Sequence, residues 1–166
     1  MARKRRSAYQ TTLDLLSRRD HFRRELVEKL RTRNFPANEI EDSIARCEEL
    51  NLVNDERVAH RFVEVRAAER GWGPHRLAAE LRKRGMSADN ADRLSDPSVE
   101  LAADAMRTAL RKLEVRPPAG WWQDGQRRAR MVSSLITRGF EAEVAIAAVD
   151  DLAASRENNS HALDDQ

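Results

Sequence analysis

Residues that break or cross-link a helical backbone are few in this chain. Its 166 residues include six glycines, five prolines and a single cysteine, Cys47. A lone cysteine excludes an internal disulfide framework and suits a reducing compartment. The shortage of glycine and proline favours a mostly helical chain, because both residues are poor in helix interiors.

Long apolar runs and aromatic residues are also scarce. No apolar segment approaches the roughly 18–20 residues of a membrane-spanning helix. The basic N-terminus is not followed by the apolar segment of a signal peptide. We therefore expect a soluble cytoplasmic protein without a membrane partner. Hydrophobic residues make up 40% of the chain and aromatic residues 5%, which favours several small cores over one large core.

The common signatures of ligand chemistry are missing as well. The four histidines show no metal-ligand spacing, and Cys47 stands alone among them. The sequence contains no phosphate loop, dinucleotide fingerprint or nucleophile elbow. The paired carboxylates Glu48–Glu49 and Asp150–Asp151 have no acid or base partner in the pattern, and we interpret them as solvated surface. We predict no metal site and no cofactor.

Charge, in contrast, is abundant and ordered along the chain. Charged residues make up 35% of the sequence, yet the formal net charge is only +2. Basic and acidic segments alternate three times, with net charges of +7, −6, +5, −4, +6 and −6 for residues 1–33, 34–56, 57–86, 87–104, 105–138 and 139–166. A nearly neutral chain can thus present basic stretches to a polyanion or an acidic partner.

Apolar residues recur at helical spacing, and no alternation of period two predicts a strand. For the helix after Asn54 the predicted inward face is Val58, Phe62 and Val65. For the helix after Asp96–Pro97 the spacing predicts an inward face of Val99, Ala102, Met106, Leu110 and Leu113. The last helix is predicted to run from about Glu141 to Ala154.

One short pattern occurs three times at a predicted helix end. Leu30–Phe35, Leu81–Met86 and Leu135–Phe140 align without gaps, separated by 51 and 54 residues. Each has leucine, two variable residues, arginine, then Asn or Gly, then a large apolar residue. Asn or Gly after a helix adopts the left-handed conformation, and arginine in the last turn complements the helix dipole. The pattern predicts a sharp corner between the second and third helices of a repeated module.

These corners divide the chain into three modules of three helices. The predicted boundaries are residues 1–53 with a basic N-terminal tail, 54–95 and 96–154, followed by a polar, disordered tail over 155–166. Modules of this size have small cores and touch mainly their neighbours. We therefore predict an all-α fold of about nine helices, arranged as an elongated and curved array. Such a shape suits a long target better than a small-molecule substrate.

Three segments resemble the RecX regulatory proteins of bacteria: Arg18–Leu26, Asn54–Val63 and Gly71–Leu81, with Thr137–Phe140 similar to the family's third-module corner. The resemblance covers roughly Ser7 to Leu152. It implies three tandem three-helix modules, no enzymatic activity and binding to the RecA filament on single-stranded DNA. RecX-like proteins lie in the filament groove and depress ATP hydrolysis, strand exchange and coprotease activity, by impeding filament growth or favouring disassembly.

A basic cluster in the central module is the candidate partner-binding site. Its members are Arg66, Arg70, Trp72, His75, Arg76, Arg82, Lys83 and Arg84. Guanidinium groups bind carboxylates or phosphates in a bidentate manner, so such a face suits either RecA or the nearby DNA. The alternative is a solvated surface paired with Glu64, Glu69 and Glu80. For Trp72 the alternatives are an interface anchor and packing between modules, which we favour.

The N-terminal residues Arg3, Lys4, Arg5 and Arg6 are a second basic segment. They are typical of a disordered tail, and they are also candidates for weak direct DNA contact. This keeps open a second function, a non-enzymatic, basic helical module that binds nucleic acid. Pure phosphate binding weakens steeply with salt, whereas docking into a protein groove needs the filament and depends less on salt.

Overall fold

The computed structural model describes residues 6–96, 98–114 and 120–164, with side chains as far as residue 158. All regular structure in these ranges is helical, which confirms the predicted fold class. No helix in them is long and apolar enough to span a membrane. The elements are α1 (Ala8–Leu16), α2 (Arg23–Arg31), α3 (Ala37–Glu49), α4 (Asp55–Arg70), α5 (Pro74–Lys83), α6 (Ala88–Ser95), α7 (Val99–Leu113), a short 3-10 helix (Trp121–Gln123), α8 (Gly125–Thr137) and α9 (Ala142–Asp164).

The three predicted corners share one backbone geometry. The residue after each helix has positive φ, at 59° for Asn34, 98° for Gly85 and 93° for Gly139. The next N–H then donates to the leucine carbonyl five residues earlier, at 3.3 Å for Phe35, 3.3 Å for Met86 and 3.2 Å for Phe140. This is the Schellman arrangement, which satisfies carbonyls at a helix end. The repeat read from the sequence therefore has a structural counterpart at all three corners.

The buried apolar residues form two cores, which differs from the expectation of a small core in each module. One core lies among α1, α2 and α3, around Leu26, Leu30, Ile44 and Cys47. The other runs without interruption from α4 to α9. Helix α7 packs mainly along α4, which joins the second and third modules. The first module contributes one residue, Phe22, to this second core.

The predicted inward faces of α4 and α7 are correct only in part. Val58 and Phe62 of α4 pack half-buried against the second core, as do Met106, Leu110 and Leu113 of α7. In α4 the buried residues are Ala59, Val63 and Ala67, whereas Val65 is 38% exposed. In α7 Ala105, Thr108 and Ala109 are buried, whereas Val99 is 88% exposed. Small side chains occupy the contact because the two helices approach closely. The larger side chains of α4, Val58 and Phe62, are displaced to the rim and stay half-buried.

The second and third modules also meet through their backbones. The N–H of Gly73 donates to the carbonyl of Arg138 at 2.8 Å, and the N–H of His75 donates to the carbonyl of Gly139 at 3.1 Å. A Cβ on Gly73 would lie 2.5 Å from the Gly139 carbonyl carbon. We call this contact the Gly73–Gly139 joint. It holds the start of α5 against the end of α8.

The last helix is longer than the sequence predicted. Helix α9 continues to Asp164 rather than ending near Ala154, so it enters the segment predicted to be a disordered tail. Residues 155–164 contain neither glycine nor proline, so nothing in them stops a helix. The guanidinium of Arg156 also pairs with Glu114 at 3.0 Å, which ties α9 to the end of α7.

Candidate functional site: a basic groove with an aromatic floor

Three aromatic side chains form a row along one face of the molecule. Phe22 precedes α2, Phe62 lies on α4 and Trp72 follows α4. The ring centroids of Phe22 and Phe62 are 6.4 Å apart, and those of Phe62 and Trp72 are 6.2 Å apart, both edge to face. Such geometry is preferred because the positive edge of one ring meets the negative face of the next. The row crosses from the first module into the second.

Three arginines lie over these rings. The guanidinium carbon of Arg84 is 4.5 Å from the Phe62 centroid, and that of Arg76 is 4.2 Å from the Trp72 centroid. Arg66 lies 5.5 Å from Phe62 and 5.6 Å from Trp72. Cation–π contact restrains each arginine without using its N–H donors. The donors of Arg66 and Arg76 therefore stay available to an anion, whereas Arg84 also donates to Glu80.

One cavity, which we call the α2–α4 cavity, lies at the joint between the first and second modules. It has a volume of about 810 Å³. Its apolar lining is Phe22, Val58, Phe62 and Val65. Seven cations surround this lining, together with the carboxylates Asp20, Glu25 and Glu28 on the first-module side. An apolar floor with charged groups of both signs suits a protein surface better than a bare polyanion.

A second cavity, the α4–α8 cavity, lies at the joint between the second and third modules. It has a volume of about 800 Å³. Its lining includes five cations and no carboxylate: Arg66, Arg70, Arg76, Lys112 and Arg138. The remainder of its lining is uncharged, namely Trp72, Leu113, Ser133, Ser134 and Thr137. Because Arg66 lines both cavities, the two are neighbours on the surface, and we refer to them together as the groove.

The third module supplies two of these cations, and both close the C-terminus of α4. Lys112 donates to the carbonyl of Glu69 at 2.5 Å, and Arg138 donates to the carbonyl of Arg70 at 3.0 Å. Positive groups are favourable there because the last carbonyls carry the negative end of the helix dipole. These contacts fix α8 and the end of α7 relative to α4.

Glu80 moderates the charge of the groove at its first-module end. Its carboxylate accepts from Arg84 at 2.8 Å and from Lys83 at 3.1 Å. The hydrogen bond from Arg84, followed by that from Lys83, holds the pKa of Glu80 below its ordinary value. The carboxylate is therefore charged at neutral pH, and it restrains Arg84 over Phe62.

The sequence matches two family models over residues that build this groove. Residues 8–47 match the RecX first three-helix domain, and residues 54–93 match the RecX second three-helix domain. The regulatory protein RecX of Pseudomonas entomophila is 36% identical over 135 residues, which are 81% of this chain and 84% of the relative. This chain belongs to the RecX family. The regulatory protein RecX of Halorhodospira halophila is likewise 36% identical, over 84% of this chain and 86% of that protein.

Solved RecX structures share the fold. The crystal structure of RecX from Lactobacillus salivarius superposes with a TM-score of 0.74 at 24% identity, covering 87% of this chain and 94% of the other. A second crystal structure of regulatory protein RecX gives a TM-score of 0.70 at 22% identity, covering 87% of this chain and 70% of that one. The predicted resemblance to RecX is thus confirmed in sequence and in fold.

The predicted basic cluster of this RecX-family chain divides into three groups. Arg66, Arg70, Trp72 and Arg76 line the α4–α8 cavity, whereas Lys83 and Arg84 line the α2–α4 cavity with Arg66. Arg82 lines neither cavity, because it pairs with Asp92 of α6. His75 is exposed and lies 3.6 Å from Glu141.

Trp72 packs against the core that joins the second and third modules, as favoured from the sequence, and its role as an interface anchor stays a prediction. It is half-buried and packs against the second core, and it also lines the α4–α8 cavity between Arg66 and Arg76. Its indole therefore supports the groove from below while exposing one part to the cavity.

Sequence reasoning missed the residues that other modules bring to the groove. Phe22, Arg18 and Arg24 come from the first module, and Lys112 and Arg138 come from the third. A signal existed for Arg138, since it occupies the arginine position of the repeated corner. In the first two modules that arginine donates to its own helix, from Arg33 to Lys29 and from Arg84 to Glu80. Only tertiary structure shows that Arg138 donates to α4 instead.

Of the four N-terminal candidates for DNA contact, the structure describes only Arg6. Arg3, Lys4 and Arg5 lie outside the described residues. Arg6 is exposed and pairs with Asp14 of α1, beside a small cavity that also includes Arg18 and Arg33. Within the part of the chain that the structure describes, no group of three His, Cys, Asp or Glu side chains is placed to hold a metal ion.

Proposed function

We propose that this protein is a non-catalytic, cytoplasmic regulator that binds the RecA–DNA filament and restrains it. It would thereby lower RecA's ATP hydrolysis, strand exchange and coprotease activities. Membership of the RecX family supports the regulatory role, and the resemblance read from the sequence supports RecA as the partner. The observation that carries the proposal is the pair of neighbouring cavities, which share Arg66 and differ in chemistry.

The difference between the two cavities suits a partner made of protein and DNA. The α2–α4 cavity offers apolar contact with charges of both signs, as protein interfaces do. The α4–α8 cavity offers only positive charge and neutral groups. A partner that occupied both would contact all three modules at once. Contact of that kind restrains a filament by binding alone and requires no chemical step.

The first test compares paired substitutions that remove the same charge from different places. Arg76→Gln with Arg84→Gln removes one cation from each cavity while keeping a polar side chain that can form neutral hydrogen bonds. Arg82→Gln with Arg107→Gln is the matched control, because both residues are exposed and pair with carboxylates outside the groove. RecA's single-stranded-DNA-dependent ATP hydrolysis is measured as each protein is titrated in.

We expect the groove pair to weaken inhibition by at least about tenfold, since each charged hydrogen bond contributes about 1.5–3 kcal/mol. The control pair should inhibit like the unmodified protein. Circular dichroism should show equal helicity in all three proteins. Equal inhibition by both pairs would contradict the assignment of the groove, whereas inhibition that excess single-stranded DNA relieves would indicate a nucleic-acid-binding module instead.

A further inference from the structure

The α4–α8 cavity concentrates positive charge without a carboxylate to balance it. In the α2–α4 cavity, by comparison, several arginines pair with carboxylates, as Arg84 does with Glu80, Arg24 with Glu28 and Arg19 with Glu25. In the α4–α8 cavity the guanidinium of Arg70 makes no hydrogen bond or ion pair with a described residue. The guanidinium groups of Arg66 and Arg76 make cation–π contacts with aromatic rings and no hydrogen bond or ion pair with a described residue. The cavity therefore carries three guanidinium groups whose N–H donors have no acceptor among the described residues.

These arginines approach the cavity from separate elements. Arg66 and Arg70 project from α4, Arg76 from α5 and Arg138 from the end of α8. A planar carboxylate has two oxygens in one plane, whereas a phosphate group presents its oxygens in a tetrahedral arrangement. Several guanidinium groups that surround one volume are thus better matched by phosphate.

The cavity is also held in shape before a ligand arrives. The Gly73–Gly139 joint fixes α5 against α8, and Trp72 restrains Arg76 and Arg66. Lys112 and Arg138 are held by the α4 carbonyls, and each keeps further N–H donors for a ligand. Restrained donors lose less conformational entropy on binding.

We propose that the α4–α8 cavity is a binding site for a ligand with several phosphate groups. The phosphate groups belong either to a phosphodiester backbone or to a free nucleoside polyphosphate. Placing the DNA of the filament there rests on the proposed function. Phosphate binding itself does not, because it is measured without RecA. The serine and threonine hydroxyls of α8 donate to carbonyls of their own helix, so the cations provide the contacts.

The experiment uses the full chain and three probes. A fluorescent oligothymidylate reports backbone binding by anisotropy at several salt concentrations. Inorganic tripolyphosphate and ATP report free polyphosphate binding by isothermal titration calorimetry. Poly-glutamate of matched charge reports carboxylate binding. The variants are Arg70→Gln, which removes no hydrogen bond or ion pair within the described residues, Arg76→Gln, and the control Arg82→Gln on the same helix as Arg76.

We expect Arg70→Gln and Arg76→Gln each to weaken phosphate binding about tenfold. Each should also lower the salt slope for oligothymidylate by about 1. Arg82→Gln should leave both unchanged. Binding of oligothymidylate alone identifies a backbone as the source, and binding of tripolyphosphate or ATP alone identifies a free polyphosphate; either result supports the site.

Three results would overturn the proposal. The first is no binding of any phosphate probe, and the second is equal binding of poly-glutamate. The third is a loss with Arg82→Gln as large as that with Arg70→Gln. None of these results depends on RecA, so a failed phosphate site and a failed filament regulator are distinguished by separate assays.

Discussion

Substitution of Gly73 by alanine tests the joint on which the α4–α8 cavity depends. Gly73 has φ −84° and ψ 170°, a backbone conformation that alanine adopts without strain. The added Cβ, however, would lie 2.5 Å from both the carbonyl carbon and oxygen of Gly139, and 2.7 Å from the nitrogen of Phe140. All three atoms belong to the backbone, so no side-chain rotation relieves the contact. Any loss of stability therefore measures the close approach of the two modules.

The expected loss of stability follows from the hydrogen bonds that break when the joint separates and from the overpacking caused by the added Cβ. Separating the chains breaks the 2.8 Å bond from Gly73 to Arg138 and the 3.1 Å bond from His75 to Gly139. Each contributes about 1 kcal/mol, and overpacking of this kind costs about 1–3 kcal/mol. We therefore expect the free energy of unfolding to fall by about 3–5 kcal/mol, a large share of the roughly 5–15 kcal/mol typical of a folded protein.

Urea denaturation followed by circular dichroism measures the effect, with Gly125→Ala as the matched control. Gly125 opens α8 and has no atom within 4 Å of an added Cβ. Its substitution should leave stability unchanged or raise it by less than about 1 kcal/mol. If Gly73→Ala stays within about 0.5 kcal/mol of the unmodified protein, the modules are not packed as described. An equally large loss of stability in Gly125→Ala would also contradict this interpretation.

Two further predictions concern carboxylates at the module joints. Burial raises the pKa of Asp55, whose Oδ1 accepts from the N–H of Arg23 at 2.7 Å. Asp55→Asn keeps the acceptor without the charge and should be as stable as the unmodified protein at pH 7. Asp55→Ala removes the acceptor and should lower the free energy of unfolding by about 1 kcal/mol, measured by urea denaturation. The hydrogen bond from Arg84 lowers the pKa of Glu80, so its contribution to stability is present above pH 4.5 and lost as the pH falls through the lowered value. Glu80→Gln should be less stable at pH 7, and the difference should shrink below pH 4.5. A loss of stability that is the same at pH 7 and below pH 4.5 would show that the charge of Glu80 is not its cause.

Local rules were sufficient for the three helix corners. The positions after Leu30, Leu81 and Leu135 combine a helix end, a left-handed residue and an apolar residue, and all three signals lie within six residues of sequence. The Ser7–Gln10 capping box is likewise local, and the structure has both of its hydrogen bonds. Such features depend on neighbouring residues alone, which is why the sequence predicts them well.

The inward faces of α4 and α7 were predicted only in part, for a physical reason. Hydrophobic periodicity gives most weight to large side chains, such as Phe62 on α4 and Met106 on α7, and both of these lie half-buried at the edge of the core. Where backbones approach closely, the contact selects alanine and glycine instead, as Ala67, Ala109 and Gly71 show. Only the packing of the folded chain shows whether large side chains or a close approach of the backbones determines the buried face of a given helix.

The candidate site was predicted in part for a related reason. Charge density in the central module drew attention to Arg66, Arg70 and Arg76, which do lie together. The contributions of Lys112 and Arg138 depend on how the third module packs on α4, more than 40 residues away in sequence. No local sequence pattern predicts contacts between residues so far apart in sequence.

The central claim is that this RecX-family protein restrains the RecA filament. Its most direct test is RecA's single-stranded-DNA-dependent ATP hydrolysis at fixed salt, with the unmodified protein titrated in. We predict inhibition at substoichiometric protein that excess single-stranded DNA does not relieve. An absence of inhibition, or inhibition abolished by the added DNA, would contradict the claim.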